Sequence, residues 1–315
     1  MASLRRPRRK PLIHADNLWK QYGKHEAIQG LSFSVPEGSA FALIGANGAG
    51  KTTTIKMLMN IIQLNRGTAT VLGVDSRKLS AREFNRIGYV SENQDMPLAL
   101  TVGDYLDYLR PFYCKWDRDL EWSLRSQLRL PADRKIGNLS HGMRMKMALA
   151  CALPFHPELL VLDEPFNGLD VLVRDELMES LMTQAGQMTI FISSHDLAEI
   201  DSFVTDVAFI DEGKLLFEES MDALMGRFRE VQVTLDGEAS LPQQIPVEWL
   251  NMKATGSVVT FVDTRFAESA MSGRLSPYWS SIRRIETKPL TLRTIFTTLA
   301  RVSRTQANDC NEVPR

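Results

Sequence analysis

Short apolar runs alternate with stretches of helical periodicity from Leu12 to about Phe217. Four of these runs are mostly apolar and do not alternate, at Ala40–Ile44, Ile87–Val90, Leu159–Leu162 and Thr189–Ser193. Runs of this length are typical of parallel strands that are buried on both faces of a sheet. The pattern therefore predicts an α/β core built on a mainly parallel sheet.

Between Thr101 and Pro157 no strand pattern is evident, and Leu, Tyr, Trp and Met recur at helical spacing. This region predicts a helical subdomain over about residues 92–157. An aromatic stripe within it fits either a partner-binding surface or core packing, and it consists of Tyr105, Tyr108, Phe112, Tyr113 and Trp116.

The pattern changes after the core. Residues 221–228 predict a helix, and the segments 231–235 and 258–262 alternate between apolar and polar positions as strands do. A final helix is predicted because one face of it is shared by Leu292, Ile295, Phe296 and Leu299. These elements predict a small α+β extension over residues 231–304.

The sequence thus divides into a core domain of residues 12–230, the extension, and two polar terminal segments, residues 1–11 and 305–315. The first end has no apolar stretch of the kind that a secretory signal needs. It fits either attraction to anionic lipid headgroups or a solvated, disordered tail. Its charged residues are Arg5, Arg6, Arg8, Arg9 and Lys10.

The 315 residues contain 37 Lys and Arg against 38 Asp and Glu, which gives a net charge of −1. The chain as a whole lacks the excess of positive charge that is typical of nucleic-acid-binding proteins, so we expect no nucleic-acid partner. The longest apolar runs are far shorter than the roughly 18 residues of a membrane-spanning helix. Cys114, Cys151 and Cys310 are too far apart for a metal or disulfide motif, which favours a reducing compartment such as the cytosol.

The segment GANGAGKTT follows one predicted strand and precedes a helical pattern. Gly45, Gly50, Lys51 and Thr52 in it match the phosphate-loop pattern G-x-x-x-x-G-K-[ST]. Glycines let backbone N–H groups surround phosphates, Lys51 reaches the β and γ oxygens, and Thr52 can hold Mg²⁺. The remaining predicted nucleotide contacts in the loop are Asn47, Gly48, Ala49 and Thr53.

A second acidic position follows the apolar run of LLVLDE. Asp163 ends this predicted strand, so we interpret it as the carboxylate of the magnesium shell. The adjacent Glu164 is placed to polarise an attacking water molecule.

Further motifs follow the phosphate loop in a fixed order: LSHGM at 139–143, then LLVLDEP, NGLD and FISSH. Ser140 lies 23 residues before Asp163. Over about residues 12–230 this set resembles the ATP-binding subunit of ABC transporters, most closely the bacterial exporter subunits that are encoded apart from their membrane domains. The resemblance implies a phosphate-loop NTPase fold with a helical subdomain.

The resemblance also implies a dimer that buries two ATP molecules between two chains. Ser140 and Gly142 match the signature positions that meet the γ-phosphate bound by the other chain. Asp170, after Gly168 and Leu169, matches the loop that joins the two sites.

Two roles at the reacting end come from the same resemblance: Glu164 is the general base, and His195 of SSH is the switch histidine that contacts the γ-phosphate. Tyr22 falls where the family stacks an aromatic ring on adenine, and Trp19 is the alternative.

Three positions depart from the family pattern. The usual LSGGQ is LSHGM here, so Met143 replaces a glutamine and His141 replaces a glycine. The histidine either adds bulk and a donor beside the γ-phosphate or points outward from a tolerant turn. After the strand at 87–90 the usual glutamine is replaced by Glu92, which can approach Mg²⁺. Gln94 can substitute for it, so both remain candidates for the lid contact.

The sequence thus predicts an ATPase that uses ATP and Mg²⁺ and dimerises with itself or a paralogous subunit. By resemblance, it drives transport, in the export direction, through a separate multi-spanning permease at the cytoplasmic face of the inner membrane. The alternative is a soluble ABC-type ATPase that acts on nucleic acid or ribosomes. Such relatives usually carry two cassettes or a long coiled coil, and neither is evident in this sequence.

Overall fold

The computed structural model describes residues 10–184, 186–196 and 200–299, so most of the basic N-terminal run, the polar tail at 305–315 and Cys310 lie outside the described residues. The chain forms two compact units that divide between Glu218 and Glu219. This division precedes the sequence-based boundary at residue 230, because the helix predicted at 221–228 belongs to the second unit.

The strands are β1 (Pro11–Tyr22), β2 (His25–Pro36), β3 (Ala40–Ile44), β4 (Arg66–Val71), β5 (Val74–Asp75), β6 (Ile87–Ser91), β7 (Leu159–Asp163), β8 (Thr189–Ser194), β9 (Asp206–Asp211), β10 (Lys214–Ser220), β11 (Arg229–Leu235), β12 (Trp249–Thr255), β13 (Val258–Asp263) and β14 (Ile282–Pro289). The helices are α1 (Lys51–Leu58), α2 (Ala81–Phe84), α3 (Val102–Leu109), α4 (Arg118–Gln127), α5 (His141–Ala152), α6 (Val171–Gln184), α7 (Met221–Arg227) and α8 (Met271–Leu275). Residues 292–299 are also helical.

The central sheet of the first unit has the strand order β10-β9-β3-β8-β7-β6. Strand β3 pairs in parallel with β8 and β9, and β7 pairs in parallel with β8 and β6. All residues of β3, β7 and β8 are buried, which accounts for the absence of apolar–polar alternation along them. The parallel core predicted from the four apolar runs is confirmed.

A second sheet, of order β2-β1-β4-β5, is antiparallel throughout, so the mainly parallel description applies only to the central sheet. Its strands were not singled out because buried and exposed positions alternate irregularly along β1, where register shifts interrupt the pairing. The two sheets share one core. Phe33 of β2 stacks on Phe41 and Phe191 of the central sheet, with ring centroids 5.9 and 5.8 Å apart.

Between residues 92 and 157 the structure contains α3, α4 and α5 and no strand element, as the helical spacing predicts. Buried Glu121 of α4 accepts two hydrogen bonds from Arg110, both of 2.7 Å, and one from the indole N–H of Trp116. These bonds tie the end of α3 to α4. They satisfy a carboxylate that would otherwise be costly to bury.

The aromatic stripe of this region divides into two parts. Tyr113 stacks on Phe155 at 4.0 Å between ring centroids, and Trp116 is held by Glu121, so these rings pack internally. Tyr108 and Phe112 are each 58% exposed and contact one another edge to face. Core packing therefore accounts for Tyr113 and Trp116, and the partner-surface interpretation stays a prediction for Tyr108 and Phe112.

The second unit contains a four-stranded antiparallel sheet of order β12-β13-β11-β14. Trp249, Phe261 and Trp279 lie in its core together with alternate residues of β11. Fully buried Asp263 is paired with Arg274, with Oδ2 2.6 Å from Nη1. Strand β14 was not predicted because its polar sequence lacks an apolar alternation. Strand β12 was also missed, although Leu250, Met252 and Ala254 alternate with polar residues along it.

Among the described residues no helix has both the length and the apolar character needed to cross a lipid bilayer.

Replacing Phe191 by Ala is expected to destabilise the first unit by about 3–5 kcal/mol, because it removes a ring shared by both sheets and leaves a cavity. Urea unfolding followed by circular dichroism measures this change. Phe112→Ala is the matched control, since that ring is 58% exposed, and it is expected to have little effect. Equal effects of the two substitutions would contradict the assignment of Phe191 to the core.

Candidate functional site

The predicted phosphate loop connects β3 to α1 and has the conformation its glycines require. A Cβ on Gly45 would lie 2.3 Å from the carbonyl oxygen of Ile210. Gly50 has φ +105°, in the left-handed region that favours glycine, and its added Cβ would lie 2.5 Å from Cδ1 of Ile28. Helix α1 has no side-chain N-cap, so the amides of its first turn are left to bind an anion.

Lys51 is buried at 4% exposure and its ammonium group faces the loop that carries it. The Nζ atom donates to the carbonyl oxygens of Gly45 at 2.7 Å and Ala46 at 3.1 Å. It also lies 2.9 Å from Oε1 of Glu164, which is 12% exposed. A buried ammonium group is stable only with such partners, so Glu164 supplies its counter-charge.

Glu164 follows directly after β7 and has φ +50°, which is uncommon for a residue with a side chain. Its other carboxylate oxygen, Oε2, lies 2.8 Å from Nδ1 of His195, which follows β8. The carboxylate is therefore held between Lys51 on one side and His195 on the other. Because β3, β8 and β7 are neighbours in a parallel sheet, their carboxyl ends bring these three side chains together.

Asp163, the last residue of β7, accepts a hydrogen bond from the Thr52 hydroxyl at 3.0 Å and one from Ser193 at 2.8 Å, both to Oδ1. Burial raises the pKa of Asp163, and the two hydroxyl donors partly offset that effect. The Ser193 hydroxyl also accepts the backbone N–H of Glu164 at 3.0 Å. One serine thus positions both acidic residues.

These groups surround a cavity of about 450 Å³. Of the residues predicted to bind nucleotide or metal, the cavity is lined by Tyr22, Asn47, Gly48, Gly50, Lys51, Thr52, Thr53, Glu92 and Glu164. Gly45 and Ala49 support the loop from behind, and Ala49 is 3% exposed. His195 and Asp163 do not line the cavity themselves. His195 is hydrogen-bonded to Glu164 and Asp163 to Thr52, and these two partners line it.

The two lid candidates point to different places. Glu92 lines the cavity of the phosphate loop, and its backbone N–H donates to the carbonyl oxygen of Asp163 at 3.2 Å. Gln94 lines a separate cavity of about 270 Å³ beside Tyr105 and Tyr113. Only Glu92 is therefore placed to approach a metal bound beside Thr52.

The aromatic candidates before the loop also separate. Tyr22 is 49% exposed and lines the cavity, and the Lys20 ammonium lies 5.0 Å from the centroid of its ring. Trp19 donates its indole N–H to the Asn17 side chain at 3.0 Å and is not among the residues that line the cavity. The geometry thus favours Tyr22 as the ring that faces a nucleobase.

Three predicted contacts lie outside this cavity within the single chain. Ser140 caps α5 by accepting the backbone N–H of Met143 at 3.2 Å. Gly142 lies in the first turn of α5, and Asp170 accepts the backbone N–H of Val173 at 3.0 Å at the start of α6. A single chain therefore does not bring Ser140, Gly142 and Asp170 to its own phosphate loop.

Some residues of the site were not predicted as site residues. Ser193 belongs to the FISSH segment, and its place at the end of a buried strand is the signal that marks it as a possible site residue. His25 and Asn167 also line the cavity. His25 begins β2, whose sequence carries no motif, whereas Asn167 opens the NGLD segment, of which Asp170 alone is predicted as a nucleotide contact.

Comparison with known proteins identifies several relatives. A family profile described as ABC transporter matches residues 28–167. The bacitracin transport ATP-binding protein BcrA of Bacillus licheniformis is 34% identical over 223 residues, which are 70% of this chain and 73% of that protein. The Nod factor export ATP-binding protein I of Burkholderia orbicola is 36% identical over 217 residues, 66% of this chain and 71% of that protein. The daunorubicin resistance ATP-binding protein DrrA2 of Streptomyces coeruleorubidus is 31% identical, over 75% of this chain and 76% of that protein.

Solved structures show the same similarity. An ATP-binding subunit of an ABC transporter aligns with a TM-score of 0.62 and 26% identity, over 68% of this chain and 92% of that chain. A dimeric post-hydrolysis structure of the cassette MJ0796, bound to ADP and Pi, aligns with a TM-score of 0.59 over 66% of this chain and 98% of that chain, and at 20% identity it shows the fold alone.

Replacing Ser193 by Ala is expected to lower the free energy of unfolding by about 1–3 kcal/mol, because buried Asp163 loses a donor and the Glu164 N–H loses its acceptor. Chemical denaturation measures the change. Ser123→Ala on the exposed face of α4 is the control and is expected to be neutral. An unchanged stability in the Ser193 variant would show that its hydroxyl does not hold the two acidic residues.

Proposed function

The chain belongs to the ABC transporter family of ATP-binding proteins, and we propose from this premise that it hydrolyses ATP between two copies to drive export through a separate membrane subunit. The observation that carries the proposal is the arrangement of Glu164 between Lys51 and His195 at the mouth of the phosphate loop. This arrangement places a carboxylate, an ammonium group and an imidazole around one reacting centre. The relatives named above supply the transport context.

The cavity fits a nucleoside triphosphate. Its uncapped α1 offers backbone N–H groups and the positive end of a helix to phosphate oxygens. Lys51 adds a full positive charge. When phosphates bind, they replace Glu164 as the anionic partner of this ammonium group, so the group is never without a counter-charge. Tyr22 supplies an exposed ring at the cavity edge for stacking on the base.

The residues beside the loop fit Mg²⁺, which prefers hard oxygen ligands. The Thr52 hydroxyl and the Asp163 carboxylate have oxygens 3.0 Å apart, and Glu92 lines the same cavity. We assign the metal to Thr52, Asp163 and Glu92. When bound, the ion neutralises charge on the β and γ oxygens of the substrate.

Hydrolysis requires a base for the attacking water, and Glu164 is the residue placed for this role. Binding of phosphates to Lys51 releases Oε1 of Glu164, which then accepts a proton from water as the water oxygen bonds to the γ-phosphorus. The bond from that phosphorus to the bridging oxygen breaks, and ADP and phosphate leave. The His195 bond to Oε2 fixes the direction of the carboxylate during this step.

A second copy completes the site in this proposal. Ser140 and Gly142 lie outside the cavity of their own chain, yet they have the hydroxyl, the backbone N–H and the helix start that suit a γ-phosphate. They are therefore assigned to the nucleotide bound by the partner copy or by a paralogous subunit. Asp170 at the start of α6 joins the two sites.

The exposed rings Tyr108 and Phe112 suit contact with the membrane subunit. They lie on the segment that Glu121 clamps to α4, so a movement of that segment carries both rings. Beside them, the cavity at Tyr105 and Tyr113 provides an apolar recess for a partner side chain. We place the chain at the cytoplasmic face of the inner membrane through this contact.

Lys51→Ala is expected to abolish ATP binding, because no other ammonium group is buried at the phosphate loop among the described residues. Fluorescence titration with a labelled ATP analogue measures the affinity. Lys78→Ala, at an exposed site, is the control and is expected to bind as the wild type does. Retained binding in the Lys51 variant would contradict the phosphate-loop assignment.

Glu164→Gln is expected to bind ATP, lose hydrolysis by at least about a hundredfold and accumulate as an ATP-bound dimer, since the amide keeps the shape but accepts no proton. Phosphate release and sedimentation velocity measure the two effects. If this variant turns over at the wild-type rate, Glu164 is not the base. A variant that loses hydrolysis but stays monomeric with ATP would contradict the shared site.

A further inference from the structure

His141 is the first residue of α5, and its imidazole is directed toward the segment that follows β7. The Nε2 atom lies 3.1 Å from the backbone carbonyl oxygen of Asn167, and the side chain is half-buried. A carbonyl oxygen only accepts, so Nε2 of His141 carries the proton of this bond. The ring is thus neither free in solvent nor directed into the phosphate cavity of its own chain.

Asn167 lies midway along the short segment from Glu164 to Asp170. This segment is folded tightly, since the Asn167 N–H donates to the carbonyl oxygen of Glu164 at 3.3 Å and the Leu169 N–H donates to that of Phe166 at 3.3 Å. The backbone of Asn167 is thus hydrogen-bonded directly to that of Glu164. The bond from His141 holds the segment at its centre.

A second contact connects the same two regions. An added Cβ on Gly142 would lie 3.1 Å from Cγ1 of Val173, so the first turn of α5 packs closely against the start of α6. The start of α5 therefore meets the Glu164–Asp170 segment through a hydrogen bond and the helix after it through van der Waals contact. A displacement of α5 is resisted at both places.

The functional meaning of these contacts depends on Ser140 and Gly142, the residues on either side of His141. On the proposed function, Ser140 and Gly142 serve the ATP bound by the partner copy, whereas Glu164 serves the ATP of its own chain. The usual family residue at position 141, glycine, has no side chain with which to join these elements. In this chain one imidazole connects the part that senses the partner's nucleotide to the segment that carries the chain's own base.

We propose that His141 is a positioning residue that couples the two ATP sites of the dimer, through its Nε2–H bond to the Asn167 carbonyl. Engagement of α5 by the partner's nucleotide fixes the Glu164–Asp170 segment, and loading of one site favours catalysis at the other. The coupling is reciprocal as a binding free energy, since each site biases the same contact. This inference rests on the proposed two-copy function.

The test measures the rate of ATP hydrolysis by the full chain as a function of ATP concentration, for the wild type and for His141→Gly, His141→Leu and His141→Gln. The wild type is expected to show a Hill coefficient above one. The Gly and Leu variants are expected to lower it toward one without abolishing it, because the close packing of Gly142 against Val173 remains. They are also expected to lower kcat by about threefold to tenfold, the range one hydrogen bond supplies. The Gln variant is expected to keep both values near wild type because its amide can donate to the same carbonyl.

His156→Asn is the matched control. His156 is an exposed histidine of the same helical region, bonded to Asp117, with φ +52°, a conformation that Asn tolerates. It is expected to leave the Hill coefficient and kcat unchanged. Thermal unfolding of every variant identifies any that does not fold. Hydrogen exchange at the Asn167 and Leu169 amides measures the local stability of the Glu164–Asp170 segment, and faster exchange is expected for the Gly variant.

A Gly variant with the wild-type Hill coefficient and rate would overturn the proposal. The proposal would also be overturned if a folded His141→Gln variant had the same Hill coefficient and kcat as His141→Leu. The loss would then be due to the missing volume of the ring and not to the missing hydrogen bond. A wild-type chain that binds labelled ATP but hydrolyses none would instead refute the proposed function, and the inference with it. The binding titration and the hydrolysis series therefore distinguish the two failures.

Discussion

The position of Glu164 constrains the rest of the site. Its backbone adopts a left-handed conformation at φ +50°, which for a residue with a side chain costs on the order of 1 kcal/mol or more. The Ser193 hydroxyl offsets that cost by accepting the Glu164 N–H, and Lys51 and His195 fix the carboxylate. Ser193 and His195 belong to β8 and the residue that follows it, and Lys51 follows β3 at the end of the phosphate loop, so the arrangement exists only when β3, β8 and β7 are neighbours in this order.

This arrangement also defines how the site responds to substrate. Lys51 is buried and needs an anion at all times, and Glu164 provides one. A triphosphate competes for the same ammonium group and delivers a larger negative charge. In the proposed function this exchange frees the carboxylate when a base is needed, so that substrate binding and activation of the base both follow from the Lys51–Glu164 ion pair.

Much of this could be predicted from the sequence. Buried parallel strands have a simple apolar pattern, and the chemistry of phosphate binding restricts the residues of the loop so strongly that Gly45, Lys51, Thr52 and Asp163 are recognisable by spacing. Other features depend on tertiary contacts. Which of Glu92 and Gln94 lines the cavity depends on the direction in which the chain turns after β6. The hydrogen bond of Ser193 to Asp163 joins positions 30 residues apart, and that of His141 to Asn167 joins positions 26 residues apart. The antiparallel sheet was missed because the bulges of β1 disturb the alternation from which strands are inferred.

The measurement that tests the account most directly is co-purification of the tagged Glu164→Gln chain from gently solubilised membranes in the presence of ATP, with Lys51→Ala as the parallel sample. Mass spectrometry identifies the proteins that are recovered. The account predicts a multi-spanning membrane protein in stoichiometric amount with the Glu164→Gln chain, together with a second copy or a related ATP-binding subunit. Recovery of the chain alone, or with ribosomal or DNA-bound proteins, would contradict it.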